Sequence, residues 1–290
     1  MILVHNYLIA VLCFVLTMIC WGSWANTQKM AAKNWRFELF YMDFILGVLL
    51  TAIIAAFTVG SLGAEGRPFI DDLSSARSSS ILYAMLGGII WNLGTLLLVA
   101  AMAVAGMSVG FPIGGGLAWV LGIFFNFILV IIDKGKPEGN VTMLFIGVAF
   151  IIAAIYFSML SYKRLAREQK KRSTKGILLS VVAGLTIAFF YGLVVKSLDN
   201  SFVTGGSGNL TPFTGVFFFA VGAFISTPVF NLFAMRYPVQ GERVYLKEFF
   251  KGSVFTHLIW CTRRHYLDDR DGVKLYVCRG YQSCHILCFK

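Results

Sequence analysis

Two asparagines, Asn92 and Asn126, sit deep within long apolar runs of the sequence. An amide buried in such surroundings must find a partner or face a wet cavity, because leaving it unpaired is costly. Each asparagine offers a donor and an acceptor on one planar group, which suits recognition of an amide-rich heterocycle; hydrogen bonding between helices is the plainer role. Trp21 and Trp24 stand three apart on one helical face, and Trp91 lies in a neighbouring run. Their rings could stack on a planar ligand or anchor helices at a membrane interface. Tyr191, in a later run, is a further candidate for the same site, and Asn26 follows the tryptophan pair along its helix.

A second group could couple or gate. Asp43 is the one acidic residue within the first five apolar runs, near the start of the second. Its carboxylate could take up a proton, or it could serve the N-terminal dipole of its helix; Glu38 reads as interfacial. Lys29 and Lys196 lie at the ends of apolar runs, where a lysine either snorkels to water or faces a polar pathway. Pro112, followed by Gly114, Gly115 and Gly116, is expected to interrupt a run, and membranes tolerate broken helices only against protein or a wet cavity. Pro228 with Asn231 is a weaker case. Close packing through small residues explains the same glycines without a ligand.

No catalytic constellation emerges. The tail carries Cys261, Cys278, Cys284 and Cys288 with His257, His265 and His285. Only one plausible pair of zinc-knuckle spacing exists among those cysteines, so neither a metal nor another cofactor is expected.

The elements that must hold these groups are membrane helices. Seven runs reach the roughly 20 residues needed to cross a bilayer: Tyr7 to Ala25, Phe40 to Leu62, Ile81 to Ala105, Met107 to Ile132, Val141 to Tyr162, Gly176 to Val195 and Pro212 to Met235. The composition is 58% hydrophobic and only 13% charged, with mean hydropathy +0.75, which excludes a soluble domain. No Lys or Arg precedes the first run, and Trp21, Trp24 and Asn26 stand where a signal peptide would have a cleavage site, so it is taken as a helix.

Positive charge favours alternate loops. Lys29, Lys33 and Arg36, the seven Lys and Arg residues from Lys163 to Lys175, and Arg236, Arg243, Lys247 and Lys251 fall on one side; Arg67, Arg77, Lys134, Lys136 and Lys196 fall on the other. The richer side is cytoplasmic by the positive-inside rule, which puts the N-terminus outside a multi-pass protein of the plasma or inner membrane. The net charge of +11 is then a matter of topology, and no nucleic-acid partner is expected.

Residues 1–162 read as a five-helix half, 163–175 as a basic cytoplasmic linker and 176–252 as part of a second half, in the manner of inverted-repeat transporters. Thr17, Trp21 and Gly22 can be set beside Thr186, Tyr191 and Gly192. Residues 253–290 read as an atypical tail. From about Thr256 it holds nothing able to span a bilayer, as though a shifted reading frame had replaced three further helices.

The most distinctive stretch is CWGSWANTQKMAAKNWRFELFYMDFILG, from Cys20 to Gly47. With GGIIWNLGTLLLVAAMAVAG (Gly87 to Gly106), VGFPIGGGLAWVLG (Val109 to Gly122) and FYGLVVKS (Phe190 to Ser197), it resembles the ureide permease family of the drug/metabolite transporter superfamily, particularly bacterial members. Trp21, Gly22, Trp24, Tyr41 and Asp43 carry much of that likeness. It implies ten helices in a 5+5 inverted repeat, of which this chain supplies seven. It implies a secondary transporter for a small polar metabolite such as a ureide or nucleobase, with sugars kept open through related branches. Plant members are described as having a phosphate loop in the central linker; no G-x-x-x-x-G-K-[ST] occurs here, so ATP dependence is not expected.

The expected chain is therefore an all-α membrane permease and not an enzyme. Its partners are a small polar substrate, membrane lipid and protons, and self-association into a homo-oligomer stays open. A fragment or accessory membrane protein without transport of its own is the competing reading.

Overall fold

The computed structural model describes residues 6–31, 35–63, 65–137, 139–169, 174–199, 208–239, 241–252 and 257. The chain forms helices α1 (Tyr7–Ala31), α2 (Phe37–Phe57), α3 (Phe69–Ser75), α4 (Ser78–Ala105), α5 (Met107–Lys134), α6 (Val141–Gln169), α7 (Thr174–Ser197), α8 (Pro212–Arg236) and α9 (Leu246–Phe250). No strand occurs among the described residues; Leu198 and Leu210 make one isolated bridge. All seven apolar runs are helical. Six helices (α2, α4, α5, α6, α7 and α8) are long and apolar enough to cross a membrane, and α1 opens with the shorter apolar stretch Tyr7–Trp21.

Helix α4 is the hub, packed on α5, α7 and α8; α5 also packs on α7, α2 on α8, and α6 leans on α5. Lipid is as apolar as leucine, so these contacts must come from close approach of backbones and from interhelical hydrogen bonds. Glycine supplies the approach. A Cβ at Gly88 of α4 would collide with the Phe219 carbonyl of α8, and one at Gly222 of α8 with the Met85 carbonyl of α4. Between α5 and α7, a Cβ at Gly184 would lie 2.6 Å from the Gly114 oxygen. The outward faces keep large apolar side chains exposed, among them Leu12 and Ile19 on α1 and Phe150 and Phe157 on α6. These surfaces are solvated by acyl chains.

Three expectations need correction. Helix α5 runs unbroken through Pro112; the proline forgoes one i→i−4 hydrogen bond, a loss that membrane helices tolerate where neighbouring helices pack against them. The glycines after it pack helices: a Cβ at Gly114 would meet the Leu98 side chain at 2.6 Å and the Ser180 oxygen at 2.9 Å, and one at Gly116 would meet Ile155 at 2.5 Å. The break falls earlier, at Gly106 (φ +83°), the single residue between α4 and α5. Helix α2 begins at Phe37 and ends at Phe57, and the connection beyond it holds α3, which hydropathy alone does not reveal.

At one end of the bundle the α2–α4 and α7–α8 connections fold onto each other. Arg67 donates through Nε to Asp72 Oδ1 (2.8 Å), through Nη1 to Asp199 Oδ2 (3.2 Å) and through Nη2 to the Asn209 carbonyl (2.9 Å). Asp72 Oδ2 accepts the Thr211 backbone N–H at 2.8 Å, and Ser80 Oγ donates to Asn209 Oδ1 at 2.8 Å. Phe69 seals the inner side, edge-on to both Phe57 and Phe217. Burial works against the charge of Arg67, but the hydrogen bonds and charges of Asp72 and Asp199 outweigh it and hold its pKa above the ordinary arginine value.

Candidate functional site

The aromatic residues singled out in the sequence meet inside the bundle. Trp24 of α1 stacks on Phe44 of α2, with centroids 5.5 Å apart and planes at 23°, and meets Phe111 of α5 edge-on at 6.3 Å. Trp91 of α4 lies 6.3 Å from Phe44 and 5.3 Å from Phe219 of α8. Both indoles are buried in one core cluster, against which Trp21 packs part-buried. An interfacial belt therefore does not account for Trp24 and Trp91. Phe44, the ring that joins them, lies one residue beyond Asp43 and carries no signal of its own in the sequence.

Asn92 sits beside these rings, fully buried and with its side-chain amide satisfied by protein. Its Oδ1 accepts from the Tyr41 hydroxyl at 2.8 Å, and that hydroxyl also reaches the Asn92 carbonyl at 2.9 Å. Its Nδ2 is 2.8 Å from Ser226 Oγ, 3.0 Å from the Ala223 carbonyl and 3.1 Å from Thr227 Oγ1. One side chain thus joins α2, α4 and α8. Ser226 and Thr227 were not anticipated, although adjacent hydroxyls within an apolar run were the available sign.

Two other amides keep an oxygen in hand. The Asn126 Oδ1 of α5 and the Asn231 Oδ1 of α8 are buried and accept no hydrogen bond from the described residues. Asn231 Nδ2 donates to the Glu38 carbonyl at 2.7 Å, and its side chain is 1% exposed. Each oxygen is a place for a donor supplied by water or by a ligand.

Asp43 is buried near the end of the bundle opposite Arg67. Because α2 starts at Phe37, Asp43 is almost two turns inside the helix, beyond reach of the free N–H groups at its end, so the dipole role does not apply. Its Oδ2 accepts the Trp35 indole N–H at 3.1 Å, and its Oδ1 lies 2.8 Å from His257 Nδ1. His257, placed in the tail by sequence, is itself edge-on to Trp35 and packed on Phe249. Glu38 is not interfacial: it is fully buried and paired with Arg36, whose Nη2 lies 2.5 Å from Oε1 and whose Nη1 reaches the Glu242 carbonyl.

The remaining candidates lie apart from this core. Tyr191 is 40% exposed, against Phe190, and Lys196 is exposed at the end of α7. Pro112 is half-buried in α5. Asn26 and Lys29 lie on α1, with side chains outside the described residues, as is the tail other than His257. No group of His, Cys, Asp and Glu among the described residues could hold a metal. Two clefts, of about 780 and 500 Å³, open near the Asp43 end, the first beside Lys175, Arg236 and Arg243, the second beside Trp35, Arg36 and Leu39.

Comparison with known proteins is consistent with this arrangement. Ureide permease 1 of Arabidopsis thaliana is 25% identical over 287 residues, covering 80% of this chain and 72% of that protein. Ureide permease 3 of the same plant is 32% identical over 161 residues, 55% of this chain and 45% of its own length. Probable ureide permease A3 of Vigna unguiculata is 24% identical over 298 residues, covering 79% and 77%. No solved structure matches significantly. The family model described as ureide permease matches residues 40–175, a stretch that contains Tyr41, Asp43, Phe44, Trp91, Asn92, Phe111 and Asn126. The chain is a multi-pass membrane protein, and the proteins it is similar to are ureide permeases.

Proposed function

We propose that this chain is a secondary transporter that moves a ureide, or a chemically similar nucleobase, across the plasma or inner membrane by alternating access with proton coupling. The observation that carries this reading is the family match across α2 to α6, the portion that contributes Phe44, Trp91, Asn92 and Asn126 to the bundle. A ureide is planar in part and rich in N–H and C=O groups. Aromatic faces such as those of Trp24 and Trp91 suit its flat portion, and the unpaired amide oxygens of Asn126 and Asn231 suit its N–H donors. Asn92 is best read as the hydrogen-bonded pin that holds those rings in place.

Alternating access follows from the proposed division into a first half (1–162), a linker (163–175) and a partial second half (176–252) that rock against each other. Asp43 is the proposed proton site, since its carboxylate is buried in the bundle and lies within one hydrogen bond of the His257 imidazole. The N-terminus and the Arg67 cluster are then outside, with Asp43 toward the cytoplasm. No catalytic chemistry is assigned to the chain.

The test is uptake of radiolabelled allantoin by proteoliposomes holding the full chain, with unlabelled uracil and glucose as competitors. The expected result is saturable uptake, accelerated by an inward proton gradient and reduced by uracil more than by glucose. Uptake no faster than in empty liposomes would refute the transport reading; competition by glucose alone would move the substrate class to sugars.

A further inference from the structure

We infer that the Arg67–Asp72–Asp199 cluster is a transport gate: an ion-pair latch that closes its end of the bundle in this state and must part for substrate to pass there. The inference rests on the transport reading above and adds to it a moving part.

The partners come from two different connections. Arg67 and Asp72 belong to the α2–α4 connection, in the proposed first half; Asp199, Asn209 and Thr211 belong to the α7–α8 connection, in the proposed second half. Every bond between Arg67 and Asp199 or Asn209, and between Asp72 and Thr211, therefore crosses the boundary between the halves. Backbone bonds add to the seam, with the Arg77 N–H donating to the Gly208 carbonyl at 2.8 Å.

The chemistry suits a contact that must be both firm and separable. One guanidinium reaches two carboxylates and a carbonyl in its fixed plane, and such a fork is specific in geometry. An apolar seal of the same size would have to expose hydrocarbon to water on opening, whereas separated ions at the membrane surface are hydrated. The closed form is tight. The Asp72 side chain is inaccessible and that of Asp199 is 3% exposed, while Arg67 keeps 15%. Beneath them the Ser80–Asn209 hydrogen bond and the ring of Phe69 form a second tier. The two clefts lie near the other end of the bundle. A permanent clamp would have the same bonds, so the distinction is whether they must break during turnover.

Cysteines at the second tier decide it. In a Ser80→Cys/Asn209→Cys chain, a short bis-methanethiosulfonate bridges the two thiols through disulfides that a thiol reductant later releases. Allantoin uptake is measured before bridging, after it and after release, with each single cysteine variant treated alike. A gate gives loss of uptake on bridging, about tenfold or more, and recovery on reduction, in the double variant alone. Undiminished uptake by the bridged protein overturns the gate while leaving transport intact; an inactive wild-type chain overturns both.

A second measurement needs no transport. Labelling of Ser80→Cys by a membrane-impermeant maleimide, applied from the latch side, is compared with and without Arg67→Gln. The gate predicts labelling about tenfold faster once the guanidinium is gone. An unchanged rate in a monodisperse variant counts against it. Should Arg67→Gln fail to fold, the bridging result stands by itself.

Discussion

Two sites at opposite ends of the bundle, Asp72 with Asp199 at one and Asp43 at the other, satisfy buried carboxylates by different chemistry, although Glu38, near Asp43, keeps a guanidinium partner in Arg36. At the Arg67 end, Asp72 and Asp199 share a guanidinium, which stays charged at every physiological pH; its raised pKa would loosen the cluster only above the already alkaline range of free arginine. At the other end Asp43 is held by an indole N–H and an imidazole. The first arrangement responds to force and displacement, because its charges cannot be switched off. The second is the proposed proton site. A membrane protein that needs both a mechanical and a chemical input has reason to keep them at opposite ends.

That contrast can be broken most directly at Arg67. Replacing it with Ala leaves Asp72 and Asp199 buried without their cation, and losing one member of a buried ion cluster costs about 3–5 kcal/mol. The melting temperature in detergent should fall sharply for Arg67→Ala and recover in part when Asp199→Asn is added. If Arg67→Ala melts with the wild type, the latch end carries no more energy than an ordinary loop.

Asn92→Leu comes next. It strands the Tyr41 hydroxyl and takes a partner from Ser226 and Thr227, and each orphaned buried group costs about 1–3 kcal/mol. The variant should melt lower than wild type and drop less than Arg67→Ala. Equal melting of wild type and variant would mean that the hydroxyls find new partners along their own helices.

The smallest change in stability belongs to Asp43→Asn, since an amide can still accept from Trp35 and meet His257; a loss within about 1 kcal/mol is expected. Its effect should instead appear in the pH profile. On the proposed proton coupling, uptake by the wild type should rise as the outer pH falls, and the profile of the Asp43→Asn variant should be flat. A variant that retains the full pH response sinks the proton role of Asp43 and, with it, the chemical half of the contrast.

How much of this was readable in advance follows from the range over which each interaction acts. Hydropathy located all seven long helices, because the bilayer imposes one length and one composition on each of them. The buried position of Trp24, Trp91 and Asn92 was half readable: an amide in an apolar run announces that it has partners, but Tyr41, 51 residues away, and Ser226, 134 residues away, do not announce themselves. Placing the start of α2 at Phe40 instead of Phe37 was enough to mistake the settings of both Asp43 and Glu38. The latch was beyond reach. Its arginine and aspartates lie in polar connections where charge is unremarkable, and 132 residues separate Arg67 from Asp199. Asp43 shows the same limit, since its histidine partner arrives from the stretch that reads as foreign to the rest.

The turn at Gly106 also bears on how the protein is made. Helices α4 and α5 have 28 residues each and are joined by that one residue, so no hydrophilic segment exists between them for the insertion machinery to hold on either side of the membrane. A pair joined so tightly is expected to enter the bilayer together, as a hairpin. An epitope or protease site spliced in at Gly106 would part them at that moment, and the damage would fall on yield before it reached transport.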